Sequence, residues 1–257
     1  MIKAIFLDVD GTMLSFKTHR MTKTLVEALH ILREKGIKLC VSTGRHKNML
    51  EYVNTQFSFD GYITLSGQYC YVGNQVVHHN PLSKEAVEEM LAVTEKLGCS
   101  AIFLEGEQVY TNYIEDKTRH FVKELDISMP EVRPLSYGAG HTMYQVVSFL
   151  TQAEEHILDS NAPHVRYTRW HPDFLDVIPP VGGKDKGVEA ILKQFHIQPE
   201  EAMAFGDGEN DSSMLSYVGL GVAMGTASDA VKQQADYVTG TVDEDGVVTA
   251  LRHFGLI

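Results

Sequence analysis

Short apolar runs alternate with amphipathic stretches at the start of the chain. Residues 2–7 are apolar except for Lys3 and lead into Asp8, which predicts a buried strand that delivers polar side chains at its carboxyl end. Between residues 22 and 35 the apolar positions share one helical face, and a second apolar run follows at 37–41. This order of strand, helix and strand predicts a parallel sheet that is covered by helices on both faces.

The same alternation returns near the end of the chain. Apolar runs of strand length are separated there by helical patterns, and small or acidic residues follow the strands. The predicted strands cover 203–205, 220–223 and 237–238, and the predicted helices cover 211–217, 229–234 and 247–254. Both ends of the chain are therefore expected to contribute to one α/β domain.

The middle of the chain has a different pattern, because its strands are connected by turns as often as by helices. Strands are predicted at 101–104, 109–112, 143–149, 165–169 and 174–178, and helices at 84–97, 116–125 and 152–160. Proline and glycine residues, which suit hinges, border this segment: Pro81 on entry, and Pro179, Pro180, Gly182 and Gly183 on exit. We therefore predict two domains, one made of residues 1–80 and 183–257 and an inserted α+β domain at 81–182.

The charge of the chain excludes one class of partner. It carries 34 acidic and 22 basic residues, for a formal net charge of -12. Nucleic-acid binding depends on clustered Lys and Arg, so a nucleic-acid partner is not expected. The first residues lack a basic secretory leader, and no apolar stretch is long enough to span a bilayer, so we expect a cytoplasmic protein with no membrane partner.

The first candidate for chemistry is Asp8-Val9-Asp10-Gly11-Thr12, directly after the first predicted strand. Two carboxylates placed so close together repel each other unless a cation or a proton lies between them, so the pair predicts a metal site. Asp and Gly are also common in ordinary turns after strands. The motif alone leaves both interpretations open.

A second motif, Ser42-Thr43-Gly44-Arg45, follows the next predicted strand and precedes an expected helix. A hydroxyl group and the free amides of a helix start form a natural cradle for phosphate. Ser and Thr are also preferred helix caps, so this signal is weak by itself.

Two further motifs lie in the last third of the chain. Lys184 and Lys186 precede an amphipathic helix, where a lysine can neutralise a phosphoryl oxygen. The segment 205–211, which contains Asp207, Asn210 and Asp211, adds acids and an amide after another predicted strand. Such a concentration of carboxylates on an acidic protein predicts Mg²⁺, which favours carboxylate oxygens and bridges readily to phosphate.

These four motifs, in this order, resemble those of the haloacid dehalogenase superfamily of phosphatases, and specifically its Cof-type branch. The resemblance spans the whole chain. It implies a Rossmann-like, doubly wound parallel α/β core with an inserted α+β cap domain of the C2 type. It also implies Mg²⁺ as cofactor, a small phosphorylated metabolite as partner, with sugar phosphates the expected class, and a monomer or small homo-oligomer.

The resemblance also assigns roles by position. Asp8 is expected to be the nucleophile and Asp10 the general acid and base. Magnesium is expected to bind the Asp8 side chain, the Asp10 backbone carbonyl and Asp207. Phosphate or substrate is expected to contact Thr43, Gly44, Arg45, Lys184 and Asn210, with Ser42 and Asp211 in support. The Lys-x-x-Gly spacing of the family selects Lys184, and Lys186 remains the alternative.

Some points stay open at the level of sequence. Ser66-Gly67 stands where the Cof-type branch usually has Asn-Gly, which makes substrate choice less certain. Trp170 could face a sugar ring or pack in the cap.

A phosphomutase and a non-catalytic sensor of a phosphorylated ligand are the competing functions. The sensor would predict a damaged site, and every core catalytic position is present here.

Overall fold

The computed structural model describes the backbone of residues 1–257 and every side chain except that of Trp170, so the predicted role of Trp170 lies outside the described side chains. The chain divides into two compact units, residues 1–78 with 183–257, and residues 79–182. The α/β fold class is confirmed by the parallel sheet of the first unit.

The first unit is built on an eight-stranded sheet. Its strands are β1 (Ala4–Leu7), β2 (Lys38–Ser42), β3 (Gly61–Thr64), β4 (Tyr69–Val72), β5 (Gln75–His79), β12 (Ala202–Gly206), β13 (Leu220–Ala223) and β14 (Tyr237–Val238). The spatial order is β14-β13-β12-β1-β2-β3-β4-β5. The pairs from β14 to β3 are parallel, and β3 pairs with β4 in the antiparallel sense.

Both faces of this sheet are covered by helices, as the apolar strands predict. Successive strand residues point to opposite faces, so Ile5 and Leu7 join one apolar cluster while Ala4 and Phe6 join the other. Helices that supply residues to the first cluster are α1 (Lys23–Glu34), α2 (Glu51–Gln56) and α9 (Gly246–His253). Helices that supply the second are α6 (Lys184–Phe195), α7 (Ser212–Tyr217) and α8 (Asp229–Lys232).

The second unit has a six-stranded sheet of its own, with helices. The strands are β6 (Ala101–Glu105), β7 (Val109–Thr111), β8 (Glu131–Val132), β9 (Met143–Ser148), β10 (Arg166–His171) and β11 (Phe174–Ile178), and the helices are α3 (Lys84–Leu97), α4 (Asp116–Glu124) and α5 (Glu155–Asn161). The order is β10-β11-β9-β6-β7-β8, and β7 with β8 is its parallel pair. The mixture of hairpins and helices matches the α+β pattern of the sequence.

The helix that the sequence predicts just after Arg45 begins later than expected. A short 3-10 turn (Lys47–Met49) follows the motif first, and α2 begins only at Glu51. His46 favours this turn, because its ring nitrogen Nδ1 accepts a hydrogen bond from the amide of Asn48. The amide of Gly44 is therefore not part of an α-helix N-terminus.

Among the described residues, the longest helices are too short or too polar to cross a lipid bilayer.

Candidate active site

The carboxyl ends of two neighbouring parallel strands bring two acids to the same edge of the sheet. Strand β1 pairs in register with β12, so that Leu7 lies beside Phe205. Asp8 follows the first strand, Asp207 follows the second, and the amide of Asp8 donates to the carbonyl of Phe205 at 3.0 Å. Two motifs that are 199 residues apart in sequence thus meet because of strand pairing.

Lys184, the first residue of α6, lies between two carboxylates. Its Nζ atom donates to Asp8 Oδ1 and to Asp211 Oδ1, each at 2.6 Å. The Lys184 side chain is 0% exposed, and those of Asp8 and Asp211 are 9% and 1% exposed. A buried ammonium group of this kind needs charged partners, which it has here on both sides.

Burial and the neighbouring charges both shift the pKa values of Lys184 and Asp8. Burial alone would lower the pKa of Lys184, but the charges of Asp211 and Asp8 and their hydrogen bonds outweigh it and raise that pKa. Burial, followed by the negative charge of Asp211, raises the pKa of Asp8 well above its usual range, although Lys184 opposes this. The lysine is therefore charged, while the Asp8 carboxylate is held in an environment that already contains excess negative charge.

Asp211 connects the lysine to the loop that carries Asp207. Its Oδ2 atom accepts hydrogen bonds from the backbone amides of Asp207 at 3.0 Å and Gly208 at 2.9 Å. Gly206 permits this arrangement, because a Cβ atom there would lie 2.4 Å from Cγ of Asp211. Both carboxylate oxygens of Asp211 are thus engaged by the protein itself.

Asp207 is held from the other side by the first motif. Thr12 donates its hydroxyl to Asp207 Oδ1 at 2.9 Å. Gly11, with φ of +81°, allows the close approach, since a Cβ atom there would lie 2.3 Å from Asp207 Oδ2. Burial and the charge of Asp211 raise the pKa of Asp207 to about 7.

The donor set suits a divalent cation. Asp8, Asp207 and Asp211 each offer a carboxylate oxygen, and these oxygens lie within 4.8 Å of one another. Three carboxylates face one lysine, which leaves an excess of negative charge in a largely buried place. All the donors are hard oxygen atoms, which Mg²⁺ prefers over nitrogen or sulfur. Because Asp211 is already engaged, Asp8 and Asp207 are the side chains that fit a metal best.

The second motif ends β2, the neighbour of β1 on its other side. Thr43 is buried, and its Oγ1 accepts the amide hydrogen of Arg45 at 3.1 Å. The hydroxyl of Ser42 is buried and has no hydrogen-bond partner among the described residues. The guanidinium group of Arg45 makes two hydrogen bonds to the Asp10 carboxylate, at 2.8 and 2.7 Å. Gly44 lies in the loop between these residues.

The remaining predicted residues occupy two different settings. Asn210 is half-buried in the 3-10 turn Glu209–Asp211, beside Gly208 and close to the buried carboxylates. Lys186, the alternative lysine, points to the surface, where its side chain is 45% exposed and pairs with Glu189 at 3.1 Å. Of the two lysines, only Lys184 touches the acidic cluster within the described part of the chain.

Two contacts could not be read from the sequence. Thr12 binds Asp207, and Arg45 binds Asp10, although no spacing rule connects either pair. The only sequence signal for Thr12 is its place in the Asp-x-Asp-Gly-Thr motif, two residues after Asp10. For Arg45, the signal is its place in the second motif, for which the family resemblance implied phosphate or substrate rather than Asp10 as the partner.

Comparison with known proteins identifies the family. A sequence model of haloacid dehalogenase-like hydrolases matches residues 5–251, nearly the whole chain. The chain belongs to this hydrolase family. A relative from Bacillus subtilis (strain 168), the putative phosphatase YkrA, is 30% identical over 260 residues, which cover 99% of this chain and 98% of YkrA.

Solved structures of this hydrolase family agree with the fold over its full length. The subclass IIB sugar phosphatase BT4131 is 38% identical, with a TM-score of 0.94 and coverage of 99% of this chain and 100% of its own. BT1666 from Bacteroides thetaiotaomicron, described among phosphatases of the superfamily, is 31% identical with a TM-score of 0.90, covering 100% of this chain and 96% of its own. The predicted Cof-type haloacid dehalogenase family is confirmed, and the hydrolase is a phosphatase of small phosphorylated metabolites.

Proposed function

We propose that the chain is a magnesium-dependent phosphomonoester hydrolase that acts on sugar phosphates through an aspartyl-phosphate on Asp8. One observation carries this proposal: the buried Asp8 carboxylate lies 2.6 Å from the ammonium group of Lys184 and next to the oxygens of Asp207. A carboxylate in this setting has a cation to hold the incoming phosphoryl group and a partner with which to bind a metal.

Magnesium would be held by the side chains of Asp8 and Asp207, with the backbone carbonyl of Asp10 assigned by family resemblance. When bound, the ion neutralises charge, so that a carboxylate and a phosphate dianion can approach each other. The amides of Asp207 and Gly208, which bond to Asp211, keep the Asp207 loop in place for this role.

In the first half-reaction, an oxygen of Asp8 attacks phosphorus, and the bond from phosphorus to the leaving oxygen breaks. Lys184 stabilises negative charge on the phosphoryl oxygens, and the hydroxyl of Thr43 donates to one of them. Asp10 gives its proton to the leaving oxygen, which departs as an alcohol. The products of this half-reaction are the alcohol and a phosphorylated Asp8.

In the second half-reaction, water attacks the same phosphorus atom and releases the Asp8 carboxylate. Asp10, now ionised, accepts a proton from that water and is thereby restored to its protonated state. The released phosphate carries the water oxygen. One acid thus serves both halves of the cycle.

The choice of sugar phosphates is supported by the similarity to BT4131, which is described as a sugar phosphatase. We further propose that residues 1–80 and 183–257 form the catalytic core and that residues 81–182 form the cap domain. The two compact units of the fold, which divide at His79 and Gly183, are compatible with this assignment.

The test is release of inorganic phosphate from a panel of sugar phosphates, with and without Mg²⁺. The wild type should turn over at least one hexose or pentose phosphate only when Mg²⁺ is present. Asp8→Asn should lose nearly all activity, because an amide oxygen of similar shape is a poor nucleophile. The matched control is Asp159→Asn on the exposed side of α5, which should keep wild-type activity. If the Asp8→Asn variant were active, the assignment of Asp8 as the nucleophile would be wrong.

A further inference from the structure

The side chains of Arg45 and Asp10 form a two-pronged ion pair. Arg45 Nε donates to Asp10 Oδ2 at 2.8 Å, and Arg45 Nη2 donates to Asp10 Oδ1 at 2.7 Å. The pair is largely withdrawn from solvent, with the two side chains 6% and 16% exposed. The planar guanidinium group matches the two oxygens of a carboxylate, so this geometry fixes the plane of the Asp10 carboxylate as well as its distance.

The chain holds Arg45 ready for this contact. Its backbone amide donates to Thr43 Oγ1, and its Nη1 atom donates to the carbonyl of Met49 at 3.3 Å, in the 3-10 turn that precedes α2. The guanidinium group is therefore attached to the protein at a point other than Asp10.

Asp10 is also fixed on its own side. It forms an isolated bridge with Leu14, and the amide of the next residue, Gly11, donates to the Leu14 carbonyl at 2.9 Å. This places the backbone of Asp10 in a tight loop, while the side chain still has its own torsional freedom. The contact with Arg45 is what restricts that freedom.

We propose that Arg45 is a positioning residue for Asp10, rather than a residue that binds the phosphoryl group. The role rests on the proposed function, in which Asp10 is the general acid and base. Proton transfer requires the carboxyl oxygen to lie within hydrogen-bond reach of the leaving oxygen. When one oxygen of Asp10 carries the proton, the other still accepts from Arg45, so the group keeps its orientation.

This role predicts a dependence on the leaving group. A general acid matters most when the leaving oxygen is strongly basic, as in an alkyl phosphate, and little when it is weakly basic, as in para-nitrophenyl phosphate. A residue that binds the phosphoryl group contacts the same atoms in both substrates, so its loss affects both equally. The two roles of Arg45 are therefore separable by measurement.

The experiment compares kcat/KM for a hexose phosphate esterified at its primary hydroxyl and for para-nitrophenyl phosphate. This ratio reports the steps up to departure of the leaving group and is insensitive to later hydrolysis of the phosphorylated enzyme. The variants are Arg45→Met, Arg45→Lys, Asp10→Asn and the double variant Arg45→Met with Asp10→Asn. Thr43→Val is the comparison variant, because it removes a proposed contact with the phosphoryl group itself. Arg45→Lys retains the charge, so it provides a folded variant if the methionine substitution fails to fold.

Arg45→Met is expected to lower kcat/KM for the hexose phosphate by about 100-fold, and for para-nitrophenyl phosphate by less than about tenfold, as for loss of a general acid. Arg45→Lys should show the same selectivity with a smaller loss, because a lysine cannot make two parallel bonds. The double variant should be no slower than Asp10→Asn on the hexose phosphate. Thr43→Val should lower kcat/KM for both substrates by similar factors.

Equal losses on the two substrates after substitution of Arg45, or a loss that multiplies with that of Asp10→Asn, would overturn the positioning role. These results would leave the proposed function intact, because the wild type would still be an active phosphatase. A wild type that releases phosphate from neither substrate would overturn the proposed function and, with it, this role.

Discussion

Lys184 and Asp211 form a buried ion pair with a distance of 2.6 Å between Nζ and Oδ1. The same lysine also contacts Asp8, and the second oxygen of Asp211 accepts two backbone amides of the Asp207 loop. One ion pair therefore connects the proposed nucleophile to the loop that carries a proposed metal ligand. Loss of either partner is expected to disturb both.

Lys184→Met should destabilise the protein by about 3–5 kcal/mol, because it leaves the two buried carboxylates without their cation. Urea unfolding in the absence of metal measures this loss. Lys186→Met is the matched control on the same helix, since Lys186 lies at the surface beside Glu189. The control should keep both the unfolding midpoint and the activity of the wild type. Equal midpoints for the two variants would contradict the importance of the buried pair.

Gly11→Ala should weaken metal binding and phosphatase activity, because the new Cβ atom would lie 2.3 Å from Asp207 Oδ2. Gly36→Ala separates this effect from backbone strain. Gly36 has φ of +78°, close to the +81° of Gly11, but a Cβ atom added there would have no heavy atom within 4 Å. Each substitution should cost about 1–2 kcal/mol in stability from the left-handed backbone.

Metal titration by calorimetry, together with a phosphate-release assay, distinguishes the two alanine variants. Only Gly11→Ala should lose affinity for Mg²⁺, since only there is a proposed ligand displaced. Similar metal affinities in the two variants would show that the Asp207 side chain can move aside without consequence.

Metal affinity should depend on pH near neutrality. The pKa of Asp207 is raised to about 7, mainly by burial, and the pKa of Asp8 is raised as well. Both carboxyl groups must lose their protons before they bind a cation, so affinity should rise with pH through neutrality and level off only above the pKa values of both groups. The slope below the plateau should approach about tenfold per pH unit for each proton released.

Calorimetry in two buffers with different ionisation enthalpies measures the protons released on binding. Release of protons at pH values below the plateau, and little release above it, is the expected result. A metal affinity that stays constant between about pH 5 and 8, with no proton release, would contradict the assignment of these acids as ligands.

Elements with strong periodicity were predicted well from the sequence. Helix α3 has the predicted bounds because Ser83 caps it through the amide of Ala86 and Gly98, in the left-handed region, ends it. Strands β4 and β5, at one edge of the sheet, were not predicted. Their residues are mostly half-buried or exposed, so neither forms the continuous apolar run by which the central strands are recognised.

The same contrast applies to the candidate site. That Asp8 and Asp207 share one edge of the sheet follows from parallel strand ends, which the sequence pattern indicates. The partner of Arg45 does not follow, because it depends on the direction of a long side chain that leaves an irregular turn. The family resemblance assigned Arg45 to phosphate or substrate, and residue type could not correct that assignment, since an arginine fork fits phosphate and carboxylate equally well.

The most direct test of the central claim is chemical trapping of the phosphorylated enzyme. The protein is mixed with an accepted sugar phosphate and Mg²⁺, quenched rapidly in acid, reduced with borohydride and digested for mass spectrometry. Because borohydride reduces an acyl phosphate to an alcohol, the account predicts homoserine at position 8, only when substrate and Mg²⁺ are both present. Turnover of the substrate under the same conditions, with Asp8 recovered unmodified and homoserine at another position, would contradict it.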